Sequence, residues 1–253
     1  MNKPRILITN DDGILSKGIF TLWKALEQFS DVTIIAPKNE QSGKSHSISL
    51  DKPLRIKYIS LNDGFEGYAV NGTPVDCVKI GLNKIFKKKP DLIVSGINKG
   101  ANVGKNILYS GTVAAAMEGI LNDIPSIAFS INSSNLSNLK TARIISRDIV
   151  QQSFKGNLSS DIIINVNIPN CKIDQIKETI ITKQGHQYFV DSFKEKFDSK
   201  NNNYFLMDGE IKDTDDHIKY DGYAVANNYV SITPLKTDIT SHSHISLLQN
   251  FFN

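Results

Sequence analysis

The first thirty-seven residues constrain this chain more than any other stretch. Arg5 to Thr9 (RILIT) is a β-type run that ends in Asn10-Asp11-Asp12-Gly13, a strong turn signal. Ile19, Leu22, Trp23 and Leu26 then recur at the i, i+3, i+4, i+7 spacing of one buried helical stripe. A second β-type run, Asp31 to Ala36 (DVTIIA), is stopped by Pro37. Strand, helix and strand in this order make a βαβ unit, whose strands are parallel and joined by a right-handed crossover. The acidic turn therefore lies at the carboxyl end of the first strand, the edge at which open α/β sheets bind ligands.

The alternation continues along the chain. Asn39 to Ser49 is polar and Ser-rich and reads as a loop, and Leu54 to Val70 holds two weaker strands separated by Asn62, Asp63 and Gly64. Thr73-Pro74-Val75-Asp76 is a helix start, with Thr73 as N-cap, Pro74 at the first helical position and Asp76 at capping-box spacing. Val78, Leu82, Ile85 and Phe86 supply that helix with a buried stripe. Strands are expected at Asp91 to Ser95, Ser126 to Ser130 and Asp161 to Asn167, and helices at Val113 to Leu121 and Leu139 to Gln152. This predicts an α/β fold, a Rossmann-like doubly wound and mostly parallel sheet forming a catalytic core over residues 1–169. Residues 170–253 are patterned more weakly, with a polar excursion at 191–221 and one late strand at Tyr229 to Thr233.

Charge and apolar content remove several function classes. The net charge of +3 is a small surplus of 29 basic over 26 acidic residues, and Lys87, Lys88 and Lys89 form the one tight basic run. Without aromatic interleaving or a long basic stripe, that run reads as a solvated loop and not as a nucleic-acid surface. No stretch of about 18 apolar residues is present, so no membrane span is expected. The apolar run near the N-terminus is too short for a signal peptide, and a cytoplasmic location follows by default. Cys77 and Cys171 lie far apart with no C-x-x-C spacing and read as reduced thiols.

Three polar turns should gather at the carboxyl edge: Asn10 to Gly13, Gln41-Ser42-Gly43, and Gly96 to Gly100. Together they offer two carboxylates, a hydroxyl and a carboxamide oxygen. Such an all-oxygen set suits Mg²⁺ or Mn²⁺ and is a poor structural zinc site. The Asp-Asp-Gly turn can equally be a plain turn in which Asp12 or a neighbour caps the next helix. Ser110-Gly111-Thr112 opens an Ala-rich helix with hydroxyls, free N–H groups and the positive end of the helix dipole, a cradle for phosphate; the alternative is Thr112 as an ordinary N-cap. Gly96, Gly100 and Gly104 allow backbone to curve near a ligand, or simply form turns. His46, in the Ser-rich loop, could contact substrate or stay solvated, whereas His186, His217, His242 and His244 read as surface or oligomer-contact residues.

The sequence resembles the survival protein E (SurE) family of nucleotidases. The matching pieces include ILITNDDGI at 6–14, QSGKSHSISL at 41–50, NGTPVDCV at 71–78, DLIVSGINKGANVG at 91–104, YSGTVAAAMEG at 109–119 and YVSITPL at 229–235, in order over nearly the whole chain. The resemblance implies a metal-dependent phosphomonoesterase acting on nucleoside 5′-monophosphates, with 3′-nucleotides and short polyphosphate as further substrates. It implies one divalent cation per subunit, Mg or Mn, held by Asp11, Asp12, Ser42 and Asn98. It makes Asp11, Asp12 and Asn98 catalytic, and places Gly43, Asn98, Ser110, Gly111 and Thr112 around the phosphate. It also implies a homodimer or homotetramer assembled through residues 170–253. Many relatives carry Gly where Asn228 stands here, and often Arg where His186 stands; Asn also tolerates a positive φ.

Two other functions fit the sequence less well. A covalent aspartyl-phosphate phosphatase wants Asp-x-Asp on the first loop, but Thr9 and Asn10 stand two residues before Asp11 and Asp12. A non-catalytic nucleotide-binding or sensing module lacks the G-x-G-x-x-G fingerprint after the first strand.

Overall fold

The computed structural model describes residues 3–61 and 63–252. Asn62, expected in a turn between two strands, lies outside the described residues. The chain runs β1 (Arg5–Thr9), α1 (Lys17–Leu26), β2 (Asp31–Pro37), β3 (Ile56–Ser60), β4 (Glu66–Val70), α2 (Pro74–Ile80), β5 (Leu92–Lys99), α3 (Gly111–Ile120), β6 (Ser126–Asn132), α4 (Leu139–Lys155) and β7 (Ile163–Pro169). Beyond Pro169 follow β8 (Thr179–Ile181), β9 (Tyr188–Phe197), β10 (Asn203–Lys212), α5 (Asp221–Ala226), β11 (Val230–Leu235) and α6 (His242–Phe252).

Nine strands form one sheet in the order β3-β4-β2-β1-β5-β6-β7-β11-β8, while β9 and β10 pair only with each other. From β4 to β7 all neighbours are parallel; β3 and β11 run antiparallel to β4 and β7. The strand order reverses between β1 and β5, so a crevice opens there at the carboxyl edge. Side chains alternate across β1. Ile6 and Ile8 enter a core with Ile19, Leu22 and Trp23 of α1 and Ala142 and Ile145 of α4, whereas Leu7 meets Cys77 and Val78 of α2 and Ala115 of α3. Helices thus cover both faces, as the doubly wound pattern predicts.

Local signals set several boundaries. Thr73 caps α2 by accepting from Asp76 N at 3.1 Å, and Asp76 accepts from Thr73 N at 2.9 Å. The expected continuation to Phe86 changes after Ile80 into a π-helical turn at Gly81–Ile85. Gly81 sits where a Cβ would lie 2.7 Å from Ile35 Cδ1, and glycine also propagates an α-helix poorly. β5 continues past Ser95 through the glycine expected to start a turn, and its pairing with β6 shifts register between Ser95 and Asn98. Gly96 meets this irregularity with φ +132 and room for no Cβ, which would stand 2.4 Å from Phe129 O. The Gly96–Ile97 peptide is cis.

The excursion at 191–221 contains most of a long antiparallel hairpin, with Tyr188 opposite Lys212 and Phe197 opposite Asn203. α5 and α6 were not anticipated from sequence. Asn228 takes φ +66, the left-handed conformation that glycine would adopt at lower cost. Among the described residues, no helix is long and apolar enough to cross a membrane.

Candidate active site

Asp11 and Asp12 leave the end of β1 in the crevice between β1 and β5. Neither caps the following helix. Ser16 does so, accepting from Ile19 N at 3.4 Å, and Asn10 Nδ2 braces the turn by donating to Ser16 Oγ at 2.8 Å and Gly13 O at 2.9 Å. Both carboxylates are therefore free for other work.

Each carboxylate is held from a different part of the chain. The Thr112 hydroxyl donates to Asp11 Oδ1, and the Lys99 backbone N–H donates to Asp12 Oδ2 at 3.2 Å. Thr112 is consequently not the cap of α3; Ser110 is, accepting from Val113 N at 3.1 Å. Gly111 lets the start of α3 press against the acidic turn, since a Cβ there would lie 2.9 Å from Asp11 Cβ. The Ser-rich loop arrives from the opposite side, where Gln41 N donates to Asp11 O at 2.7 Å.

Not every residue expected at the site touches the carboxylates. Ser42 is exposed and its hydroxyl donates to Glu40 Oε1 at 2.8 Å. Gly43 has φ +70, with open space where a Cβ would be. Asn98 donates through Nδ2 to Gly100 O at 2.8 Å, which turns its carboxamide oxygen away from that bond and leaves it available. All three sit on the segments that contact Asp11 or Asp12, one or two residues from the contact.

Burial pushes the Asp11 carboxyl up to about 6, with the Thr112 hydroxyl pulling down against it and the Asp12 charge adding to the rise. Asp12 is also raised, first by burial and then by the charge of Glu40, against the pull of the Lys99 N–H. Among the described residues neither carboxylate forms an ion pair, although the Lys99 charge also pulls Asp12 down. Adjacent, desolvated and unpaired carboxylates of this kind suit a divalent cation, which would hold both ionised. Among the described residues no three His, Cys, Asp or Glu side chains converge on one point. Two carboxylates and neutral oxygens are the donors at hand, a hard set that fits Mg²⁺ or Mn²⁺. The side-chain oxygens of Thr9, Asn10 and Ser95, buried at the same edge, lack hydrogen-bond partners among the described residues.

His46 is half-buried and engages a carboxylate of α3. Its Nε2 lies 3.1 Å from Glu118 Oε2, and Lys79 Nζ donates to Glu118 Oε1 at 2.8 Å. Burial alone would raise Glu118, but His46, Lys79 and Asn122 outweigh it and hold the carboxyl below its usual range. With Thr73 donating to Ser47 O at 2.7 Å and Ser49 N donating to Asp76 at 3.0 Å, these bonds pin the Ser-rich loop onto α2 and α3.

Sequence reasoning missed three supporting groups. Glu40 stands close enough to Asp12 to raise its pKa, and the only hint was a carboxylate two residues before Ser42. Asn102 donates to Ser130 Oγ at 2.8 Å and accepts at its backbone oxygen from Asn165 and Asn167 at 2.9 and 3.0 Å, which fixes the Gly-rich loop after β5. Asp221 accepts from Gly104 N at 3.1 Å and Gly185 N at 2.9 Å and ties the C-terminal region to that loop. Asn167 and Asp221 carry no local signal, because their partners lie 65 and 117 residues away.

Comparison with known proteins bears on this arrangement. The family model described as Survival protein SurE matches residues 6–191. The chain is similar to the 5′-nucleotidase SurE of Chlorobaculum tepidum, at 41% identity over 98% of this chain and 95% of that protein. It is also similar to the 5′-nucleotidase SurE of Thermosipho africanus, at 38% identity over 96% of each. The crystal structure of the SurE protein from Aquifex aeolicus superposes with a TM-score of 0.84 at 35% identity, covering 99% of this chain and all of that one.

Proposed function

We propose, from the premise that this chain belongs to the SurE family, that it is a metal-dependent 5′-nucleotidase, hydrolysing nucleoside monophosphates to nucleoside and phosphate. What supports this above all is the pair of carboxylates held by Thr112 and by the Lys99 N–H beside the N-terminus of α3. Phosphate monoesters hydrolyse very slowly unaided, so charge on the phosphoryl oxygens must be stabilised and a water aligned opposite the leaving oxygen.

Asp11, Asp12, Ser42 and Asn98 are the residues we assign to hold one divalent cation, Mg or Mn. Bound there, the cation supplies positive charge to the phosphoryl oxygens and acidifies a water. The Thr112 hydroxyl donates to Asp11 Oδ1 and the Lys99 N–H to Asp12 Oδ2, which leaves acceptor capacity on both carboxylates. One of these accepts the proton of the attacking water. Ser110, Gly111, Thr112, Gly43 and Asn98 are assigned to the substrate phosphate, where the dipole of the ten-residue α3 adds to their hydrogen bonds. Exposed apolar side chains on β9–β10 and α6 support assembly of residues 170–253 into a homodimer or homotetramer.

The test is release of inorganic phosphate from AMP with added Mg²⁺ or Mn²⁺, against an EDTA control. Pure protein that stays inert toward AMP with either cation would overturn the reading.

A further inference from the structure

Beside the acidic turn, on the β2–β4 side of β1, a groove of about 660 Å³ runs along the sheet, within the range of roughly 300–1,000 Å³ typical of small-molecule sites. Ile14, Ile56 and Ile59 give it an apolar wall, and Lys38, Arg55 and Lys57 bring three cations to it. Neither Asp nor Glu lines it, and among the described residues none of the three cations has an ion-pair partner.

The groove shares its end with the candidate active site. Ile14 directly follows the Asp11-Asp12-Gly13 turn, and its N–H donates to Pro37 O at 2.8 Å, which locks the turn to the strand leading into the Ser-rich loop. Arg55 is held at the other end, its N–H donating to Asn71 Oδ1 at 2.5 Å and its carbonyl accepting from Asn71 N at 3.2 Å. A phosphate at the carboxylates would leave the rest of a nucleotide free to lie along this groove. A neutral nucleoside would use the apolar wall and leave three cations without a counter-charge. A nucleotide with a second phosphate on its sugar would use both.

We propose that this groove selects nucleoside bisphosphates, with the second phosphate bound by Lys38, Arg55 and Lys57 while the first is hydrolysed. The proposal rests on the nucleotidase reading above. Its test compares kcat/KM for adenosine 3′,5′-bisphosphate, AMP and p-nitrophenyl phosphate at low salt, in the wild-type protein and in the Arg55→Gln/Lys57→Gln double variant. Cation–phosphate contacts at an exposed groove should favour the bisphosphate over AMP by about tenfold, or about 1.4 kcal/mol. The preference should fade as added salt screens it and fall to near parity in the double variant. Turnover of p-nitrophenyl phosphate, which has no second anion, should hold within about twofold, as expected of exposed side chains remote from the chemistry.

Equal kcat/KM for bisphosphate and AMP in the wild type would overturn the proposal while leaving the nucleotidase reading intact, and so would an equal loss on all three substrates in a variant with unchanged thermal stability. A stronger preference for a 5′-phosphorylated dinucleotide would replace the bisphosphate with a nucleic-acid end. A variant that changes sedimentation but not the substrate ratio would assign the groove to a second copy of this chain. Failure of the wild type to hydrolyse any of the three substrates would instead count against the nucleotidase reading. Lys38→Gln, exposed and outside any strand interior, repeats the comparison should the double variant fold poorly.

Discussion

The crevice between β1 and β5 and the arm formed by β9 and β10 depart from ordinary burial in opposite directions. In the crevice polar side chains are sunk out of water: Thr9, Asn10, Asp11, Ser95 and Thr112 are all at most 4% exposed. On the arm large apolar side chains stand in the open, with Phe193 and Phe205 at 60%. Buried polar groups and clustered exposed apolar groups both cost stability in an isolated chain, and both are common where a protein meets something else. On the proposed function, the crevice takes a charged small ligand and the arm an apolar surface. Substitutions in the crevice should therefore bear on the chemistry, and those on the exposed arm should leave it alone.

The largest effect should come from the crevice. Asp11→Asn and Asp12→Asn should each lower kcat by about 10²–10³ or more, since each removes charge from the centre that stabilises the transition state. Phosphate release at saturating cation checks this, and a variant with the wild-type rate would remove that residue from the mechanism.

Next comes the cost of the unpaired charge itself. The Asp11 carboxyl titrates at about 6 in the folded, metal-free protein, above its ordinary 3.8. The folded state therefore binds the extra proton between those values. The resulting stabilisation is complete below about pH 3.8 and is lost as the pH rises through about 6, a change of about 3 kcal/mol. Thermal melts should show Mn²⁺ stabilising the protein more at pH 7.5 than at pH 5, and the pH-dependent part should shrink in Asp11→Asn, with Asp12, which is also raised, supplying the remainder. An equal gain at both pH values would contradict the burial argument.

Gly111→Ala should act on packing at the same edge. The new methyl must displace Asp11 or the start of α3, at about 1–3 kcal/mol of stability. Denaturant unfolding and phosphate release should fall together; loss of neither would mean that the helix start can retreat freely.

The smallest effect on stability belongs to the arm. Phe193→Lys with Phe205→Lys should change the unfolding free energy of the chain by no more than about 0.5 kcal/mol, because neither ring is buried within it. Sedimentation should nonetheless shift toward smaller species. If the association state did not move, the hairpin would have no part in assembly.

The contrast also sorts what could be read without coordinates. Strand β1, the acidic turn and the stripe of α1 follow from short-range periodicity, and the α2 cap follows from four consecutive residues. Ser110 and Thr112 could not be told apart in this way. Which hydroxyl caps α3 depends on Asp11 arriving from 101 residues upstream to accept from the other. The extension of β5 through Gly96 was hidden because glycine normally signals a turn, and only the neighbouring β6 carries the strand across the irregularity. The hairpin was visible only as a polar excursion, because its strands have no core to impose alternation. α6 escaped for a related reason: it buries no residue within the chain.

From the sequence by itself came the α/β alternation, the placing of Asp11 and Asp12 at a strand end, and the family motifs, because these depend on residues near one another along the chain. The tertiary structure alone decided that Ser16 and Ser110 take the capping duties, which frees the carboxylates and Thr112 for the crevice, and that His46 turns toward Glu118. Those outcomes depend on which polar groups meet after the sheet forms. A buried hydrogen-bonding group must find a partner wherever the fold delivers one, and sequence distance places no limit on where that is.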